Sequence, residues 1–223
     1  MPATRPGATG AVISGWGTAL PEKVVTNHDL EKTLDTSDEW IVARTGISER
    51  RIGGTTASLS VESGQAALDM AGLTPDRIDA LVVATTTPDR QWGTASIVQR
   101  ELGLTCGAYE LNAACSGFVY GLVNAHGLIA MGAERVLLVG TDTLSRITDW
   151  NDRGTAPLFA DGSGAVVLES TPHGSQLLGV EFFGDGGEAG HIRKEHRGLL
   201  AFPSQFERTG LFLNVLEHLG THH

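Results

Sequence analysis

Cysteine, positive charge and long apolar runs are all scarce in this sequence. Two cysteines among 223 residues exclude a disulfide-stapled scaffold, and a predicted strand between Cys106 and Cys115 would hold their thiols roughly 25 Å apart. No apolar run approaches the roughly 20 residues that span a bilayer, and the N-terminus lacks the apolar core of a signal peptide, so we expect a cytoplasmic protein outside the membrane. With 16 basic against 26 acidic residues, the formal charge of −10 disfavours nucleic acid as a partner.

What the sequence does contain is an alternation of strand-like and helix-like segments. A long amphipathic helix is predicted over Thr56–Ala71, ending at Gly72, and two short helices have caps at Asn27 and at Thr36 or Ser37. The predicted strands cover residues 11–19, 78–87, 108–113, 135–141, 165–168 and 177–183, and the predicted helices cover 29–34, 37–43, 56–71, 95–102, the segment after Cys115 and 211–219. This order predicts an α/β protein with a mostly parallel sheet covered by helices on both faces.

Cys115 stands where an apolar strand gives way to an apolar helix. At the first turn of a helix, unpaired backbone N–H groups and the helix dipole favour a thiolate, and the small residues around Cys115 leave space for a carbonyl group. The amide of Cys115 is then a candidate oxyanion donor. The alternative is a buried cysteine that acts as a small hydrophobic residue. The helix that follows is apolar around most of its circumference, which predicts burial on all sides.

A small basic cluster is predicted beside Trp40. It comprises Arg44, Arg50 and Arg51, and an indole next to guanidinium groups suits a nucleotide with phosphates. The alternative is a solvated charged surface next to a core tryptophan. Further along the chain, the sequence DGSG over 161–164 is interpreted as a turn before the strand at 165–168.

Five stretches resemble one family, the β-ketoacyl-(acyl-carrier-protein) synthase III enzymes. They are DTSDEWIVARTGISERR (35–51), ALVVATTTPD (80–89), NAACSGF (112–118), VLLVGTDTLSR (136–146) and DRGTAPLFADGSGAVVLE (152–169). The resemblance implies a thiolase-like fold with five αβαβα layers, working as a homodimer. It also implies decarboxylative condensation of an acyl-CoA primer with malonyl-acyl carrier protein, so that acyl-CoA is a substrate and no cofactor stays bound.

The resemblance assigns roles to individual residues. Cys115 matches the family's nucleophile, which holds the acyl group as a thioester. Trp40 matches the tryptophan that stacks on the CoA adenine. Three further positions match CoA-contacting residues, namely Thr36, Arg44 and Arg153.

Trp92 stands where the family often has a phenylalanine that closes the acyl pocket from the partner subunit. The larger indole is expected to shorten or reshape that pocket.

The end of the sequence departs from the family. The condensing histidine of a V-P-H-Q-A-N type motif and the asparagine of a G-N-T-S motif are not found, and resemblance ends near residue 190. Asn214 and His218 share a helical face but lack a matching context, and His218 with His222 has too few partners to predict a metal site. We therefore expect a C-terminally truncated synthase, with a thiolase-like N-terminal half over 1–174 and the start of a second half with a divergent tail over 175–223.

Two alternatives of function stay open at this point. One is a non-condensing acyltransferase that also uses Cys115, and the other is an inactive, dimerising fragment.

Overall fold

A computed structural model describes residues 10–91 and 93–172 and the backbone of two short strands further along. The strands are β1 (Gly10–Ala19), β2 (Val24–Thr26), β3 (Glu49–Arg51), β4 (Ala80–Ala84), β5 (Gly107–Leu111), β6 (Arg135–Thr143), β7 (Asp161–Thr171), β8 (Arg193–Lys194) and β9 (Leu200–Ala201). The helices are α1 (Asn27–Glu31), α2 (Asp38–Thr45), α3 (Thr56–Ala71), α4 (Thr94–Glu101) and α5 (Gly117–Ala130). The strand predicted at 177–183, the helix at 211–219 and most of the 175–223 region lie outside the described residues.

The α/β prediction is confirmed, with one correction to the sheet. Its strand order is β1-β7-β6-β4-β5, in which β4 pairs in parallel with β5 and β6, whereas β7 runs antiparallel to β1 and β6. The sheet is therefore mixed, because the connection from β6 to β7 is a loop with a short 3-10 turn at Leu144–Arg146 and contains no crossover helix. The turn predicted at 161–164 is also wrong, since these residues form the first part of β7.

Helices cover both faces of the sheet, as the sequence predicts. One core cluster joins α3 and α4 to the sheet, and a second joins α5 to the opposite face. α3 lies unusually close to β1 because Gly15 and Gly17 face it without side chains. A Cβ at Gly17 would lie 2.6 Å from Ala66 Cβ and 2.7 Å from the backbone N of Ala67.

The prediction that α5 is buried on all sides is wrong for the described residues. Gly117, Gly121, Ala125 and Ile129 are its buried positions, all spaced by four residues, so they form one stripe against the sheet. On the far side Val119 is 46% exposed. The packing is close because a side chain at Gly121 would collide with Leu138 of β6.

Local capping explains where the helices near the site begin. Ser37 caps α2 by accepting a hydrogen bond from the Trp40 N–H at 3.1 Å, as predicted. For α1 the predicted cap is wrong: Thr26 caps the helix in a capping box with Asp29, and Asn27 is already helical and buried. Among the described residues, no helix has the length and apolar character that crossing a membrane requires.

Candidate active site

Cys115 lies in the middle of a 3-10 turn, Ala114–Ser116, that leads directly into α5. Its side chain is exposed and borders a cavity of about 570 Å³. Twelve residues line the cavity: Ala84, Ala114, Cys115, Gly117, Phe118, Gly140, Thr141, Asp142, Ala160, Asp161, Gly162 and Gly164. Because glycine and alanine make up more than half of this lining, the space in front of the thiol accommodates a substrate group.

The backbone just before the thiol is strained. Ala114 has φ 47°, and among the described residues it alone has a positive φ without being glycine. A non-glycine residue in this region costs on the order of 1–2 kcal/mol, and such strain is typically found where a functional group must be aimed. The sequence holds no signal for it, since alanine does not favour this conformation.

The two cysteines lie in different environments. Both are free, and Cys106 is partly buried beside the α3–α4 core. Burial raises the pKa of the Cys106 thiol, which keeps it protonated near neutral pH. Cys115 is therefore the better placed of the two as a nucleophile.

One wall of the cavity is held by Asp142, at the end of β6. Its Oδ1 accepts hydrogen bonds from the backbone N–H groups of Thr86 at 2.8 Å and Thr87 at 3.1 Å. The same oxygen accepts from the hydroxyl groups of Thr85, Thr86 and Thr87 at 3.2, 2.8 and 2.9 Å. This anchor fixes the turn that follows β4, the strand whose last residue also lines the cavity.

Asp161 also lines the cavity, on β7, the strand that pairs with β6 beside Asp142. It is 4% exposed and accepts from the Gly53 N–H at 2.7 Å, the Ser145 N–H at 2.9 Å and the Ser145 hydroxyl at 2.6 Å. Sequence reasoning missed this role because the glycines after Asp161 indicated a turn.

A second feature is a cation–indole cluster, formed by Trp40, Arg44 and Arg153. The guanidinium carbons lie 4.2 Å (Arg44) and 4.6 Å (Arg153) from the centroid of the Trp40 ring. Arg153 also approaches Asp35 at 3.7 Å, where both side chains are exposed. Thr36, just before α2, has a buried Oγ1 with no hydrogen-bond partner among the described residues.

The structure corrects the predicted basic cluster. Arg44 contacts Trp40, but Arg50 is buried, at 3% exposure, and Arg51 pairs with Glu49 at 3.5 Å. Neither Arg50 nor Arg51 is part of a solvated guanidinium patch on the indole.

The cation–indole cluster and the Cys115 cavity share one segment of chain. Residues 152–161 carry Arg153 near one end, and they contribute Ala160 and Asp161 to the cavity wall at the other. Asp152 shapes the start of this segment, since it accepts from the Gly154 N–H at 2.8 Å and from the Thr155 hydroxyl at 2.9 Å.

Several predicted residues have no described position. Trp92 and the candidates Asn214, His218 and His222 lie outside the described residues. Within the described part of the chain, no group of three or more potential metal ligands occurs.

Comparisons with known proteins agree on one family. Residues 109–186 match the model of the 3-oxoacyl-(acyl-carrier-protein) synthase III family. A β-ketoacyl-(acyl-carrier-protein) synthase III of Bacillus anthracis is 48% identical, with 82% of this chain and 61% of that protein aligned. A synthase III of Sinorhizobium medicae is 42% identical over 95% of this chain and 76% of its own length. The chain thus spans less than two thirds of the Bacillus relative.

Solved structures show the same fold. The 3-oxoacyl-(acyl-carrier-protein) synthase III of Aquifex aeolicus superposes with a TM-score of 0.84 at 40% identity, covering 86% of this chain and 64% of that one. The priming β-ketosynthase of the R1128 polyketide pathway gives a TM-score of 0.77 at 28% identity, covering 91% and 64%.

Proposed function

We propose an acyltransferase function for this chain, which belongs to the β-ketoacyl-(acyl-carrier-protein) synthase III family. In this proposal Cys115 accepts the acyl group of an acyl-CoA primer, and the acyl group is then condensed with malonyl-acyl carrier protein. The reaction would initiate fatty acid or polyketide synthesis.

The observation that carries the proposal is the exposed thiol of Cys115 in its cavity, joined by residues 152–161 to a cation–indole cluster. An exposed thiol next to a helix start suits attack on a thioester. An indole with two guanidinium groups suits an adenine ring and its phosphates. Both halves of an acyl-CoA molecule therefore have a matching surface.

In the first step Cys115 Sγ attacks the thioester carbonyl of acyl-CoA. The carbonyl oxygen becomes an oxyanion, the bond between the carbonyl carbon and the CoA sulfur breaks, and CoA leaves as a thiolate that takes up a proton. Oxyanion binding by the Cys115 amide stays a prediction.

In the second step malonyl-acyl carrier protein loses carbon dioxide, and the resulting enolate attacks the acyl carbonyl on Cys115. The carbon–sulfur bond to Cys115 breaks, which releases a β-ketoacyl carrier and returns the thiolate. The enolate needs hydrogen-bond donors, and the residues that line the described cavity include no histidine or asparagine. This step is consequently the more demanding part of the proposal.

Trp40, Arg44, Arg153 and Thr36 are proposed to bind CoA. Trp40 would stack on the adenine, and the two arginines would pair with phosphates. The assignment of Thr36 rests on its position just before α2, because its Oγ1 is buried in the unliganded chain.

A homodimer and a cytoplasmic location are also proposed. Among the described strands, β5 is at an edge of the sheet, and its Tyr109 is 38% exposed, which suits pairing with a second copy. The role of Trp92 in an acyl pocket shared between subunits stays a prediction.

The test is intact-mass spectrometry after incubation with acetyl-CoA and longer acyl-CoAs. We expect an acyl adduct that Cys115→Ala abolishes and the matched control Cys106→Ala retains. Adding malonyl-acyl carrier protein and measuring carbon dioxide then tests the condensation. Acyl transfer without carbon dioxide release would favour the non-condensing acyltransferase, and folded protein without any adduct would favour the inactive fragment.

A further inference from the structure

Arg50 is a buried cation without a counter-ion among the described residues. It lies on β3 at 3% exposure, and its Nε has no hydrogen-bond partner there. Its NH1 donates to the Val25 carbonyl at 3.1 Å, and its NH2 donates to Asn27 Oδ1 at 2.7 Å and to the Pro157 carbonyl at 3.2 Å. All three acceptors are neutral.

A buried arginine with only neutral acceptors is an unfavourable choice for filling a core. A charge removed from water is costly unless an opposite charge compensates it, and an apolar residue of similar volume usually serves stability better. Burial accordingly lowers the pKa of Arg50. What an apolar side chain lacks is the planar fork of donors that reaches acceptors on separate segments.

The segments that Arg50 joins are those that carry the cation–indole cluster. Pro157 belongs to the segment 152–161 that carries Arg153. Asn27 connects to the other side, because its Nδ2 donates to Asp38 Oδ1 at 2.8 Å, and Asp38 is the first residue of the helix that carries Trp40. A continuous hydrogen-bonded path therefore runs from the Arg153 segment through Arg50 and Asn27 to α2.

We infer that Arg50, with Asn27, is a positioning residue that sets the placement of Arg153 against Trp40. The bridge, defined as Arg50 and Asn27, touches no part of the proposed ligand surface and acts through the two segments it joins. Its effect on ligand affinity rests on the proposed function, since CoA is the ligand proposed for that cluster. Its effect on the placement of Arg153 in the unliganded cluster does not depend on the proposed function.

The unliganded cluster is tested first. Four tryptophans occur in the chain, so 5-fluorotryptophan labelling should give four fluorine resonances, of which Trp40→Phe identifies that of Trp40. Arg153→Gln supplies the reference position for a Trp40 ring without its Arg153 contact. In Arg50→Lys we expect the Trp40 resonance to move toward that reference, while the resonance of Trp16, which is 56% exposed on β1, stays in place.

Ligand affinity is tested second, with CoA itself as the probe. Arg50→Lys keeps the charge but loses the fork, and we expect about tenfold weaker CoA binding, a change that a fully retained geometry would not produce. Alkylation of Cys115 by iodoacetamide should proceed at the parental rate, because the bridge does not contact the cavity lining. Arg51→Lys is the matched control on the same strand and should match the parent in both readouts.

Each outcome decides the inference. An unchanged Trp40 resonance in Arg50→Lys would overturn it, whatever CoA does. Asn27→Ser is the second variant, and loss of cooperative melting in both variants would make the bridge a stability element and likewise overturn it. If the parent chain fails to bind CoA, the proposed function fails, and the fluorine spectra of the unliganded variants still decide the positioning role.

Discussion

Gly17→Ala is expected to destabilise the fold strongly, because no side chain fits between β1 and α3. The new Cβ would lie 2.6 Å from Ala66 Cβ and 2.7 Å from the Ala67 backbone N, and closer still to the Ser63 carbonyl oxygen, whereas ordinary contacts of a Cβ are 3.4–4 Å. Two of these three atoms are backbone, so a rotamer change cannot relieve the clash. The helix would have to move by about 1 Å, and α3 also packs on β6 and β7.

The magnitude follows from the kind of clash. Overpacking costs about 1–3 kcal/mol where side chains yield. Because the obstacle here is backbone, we expect Gly17→Ala to lower the free energy of unfolding by about 3 kcal/mol. For a chain of this size that corresponds to a decrease of roughly 6–12 °C in Tm, measured by circular dichroism. Gly164→Ala is the control, since Gly164 pairs with Thr18 beside Gly17 and a Cβ added there would have no neighbouring atom of the described residues within 4 Å. Melting of Gly17→Ala within about 2 °C of this control would refute the reasoning.

Two further predictions concern the ends of elements near the site. Thr55→Ala removes the side-chain cap that accepts from the Ser58 N–H at 3.0 Å, and urea unfolding should show a free energy of unfolding lower by about 1 kcal/mol. The decrease in Ser58→Ala should be smaller, because the Thr55 cap remains. An equal loss in both variants would contradict the assignment. Arg146→Gln breaks a partly exposed ion pair with Asp89 at 2.6 Å and a hydrogen bond to the Thr87 carbonyl at 2.8 Å. We expect it to lower the free energy of unfolding by roughly 1 kcal/mol, and by less in high salt. A loss that does not depend on salt would assign the effect to the carbonyl contact alone.

Local signals in the sequence were sufficient for the elements that flank the site. The predicted bounds of α3 agree with the structure because its amphipathic pattern and its terminal glycine are both local features. The Ser37 cap and the proximity of Trp40 to Arg44 also follow from spacing on one helix.

Features that depend on distant contacts escaped prediction. The segment 161–164 is glycine-rich and indicates a turn, but pairing with β1 on one side and β6 on the other holds it as a strand. Arg50 is a residue type that is rarely buried, and only its partners at Asn27 and Pro157 explain its place in the core. Arg153 meets Trp40 across more than a hundred residues, so no local pattern predicts that contact, and the resemblance assigns each residue to CoA without pairing them.

Residues 152–161, described above as the connection between the cation–indole cluster and the Cys115 cavity, also limit length. Ala160 follows Arg153 by seven positions, so the chain between them spans at most about 25 Å even when fully extended. Because the two ends cannot lie farther apart than this tether is long, a ligand that contacts both of them needs a reach of no more than about 25 Å. An insertion between these two residues would relax this upper limit on the separation of the cation–indole cluster and the cavity, even when every contacting side chain is retained. The segment therefore sets an upper limit on the distance between two surfaces that a single ligand is proposed to contact.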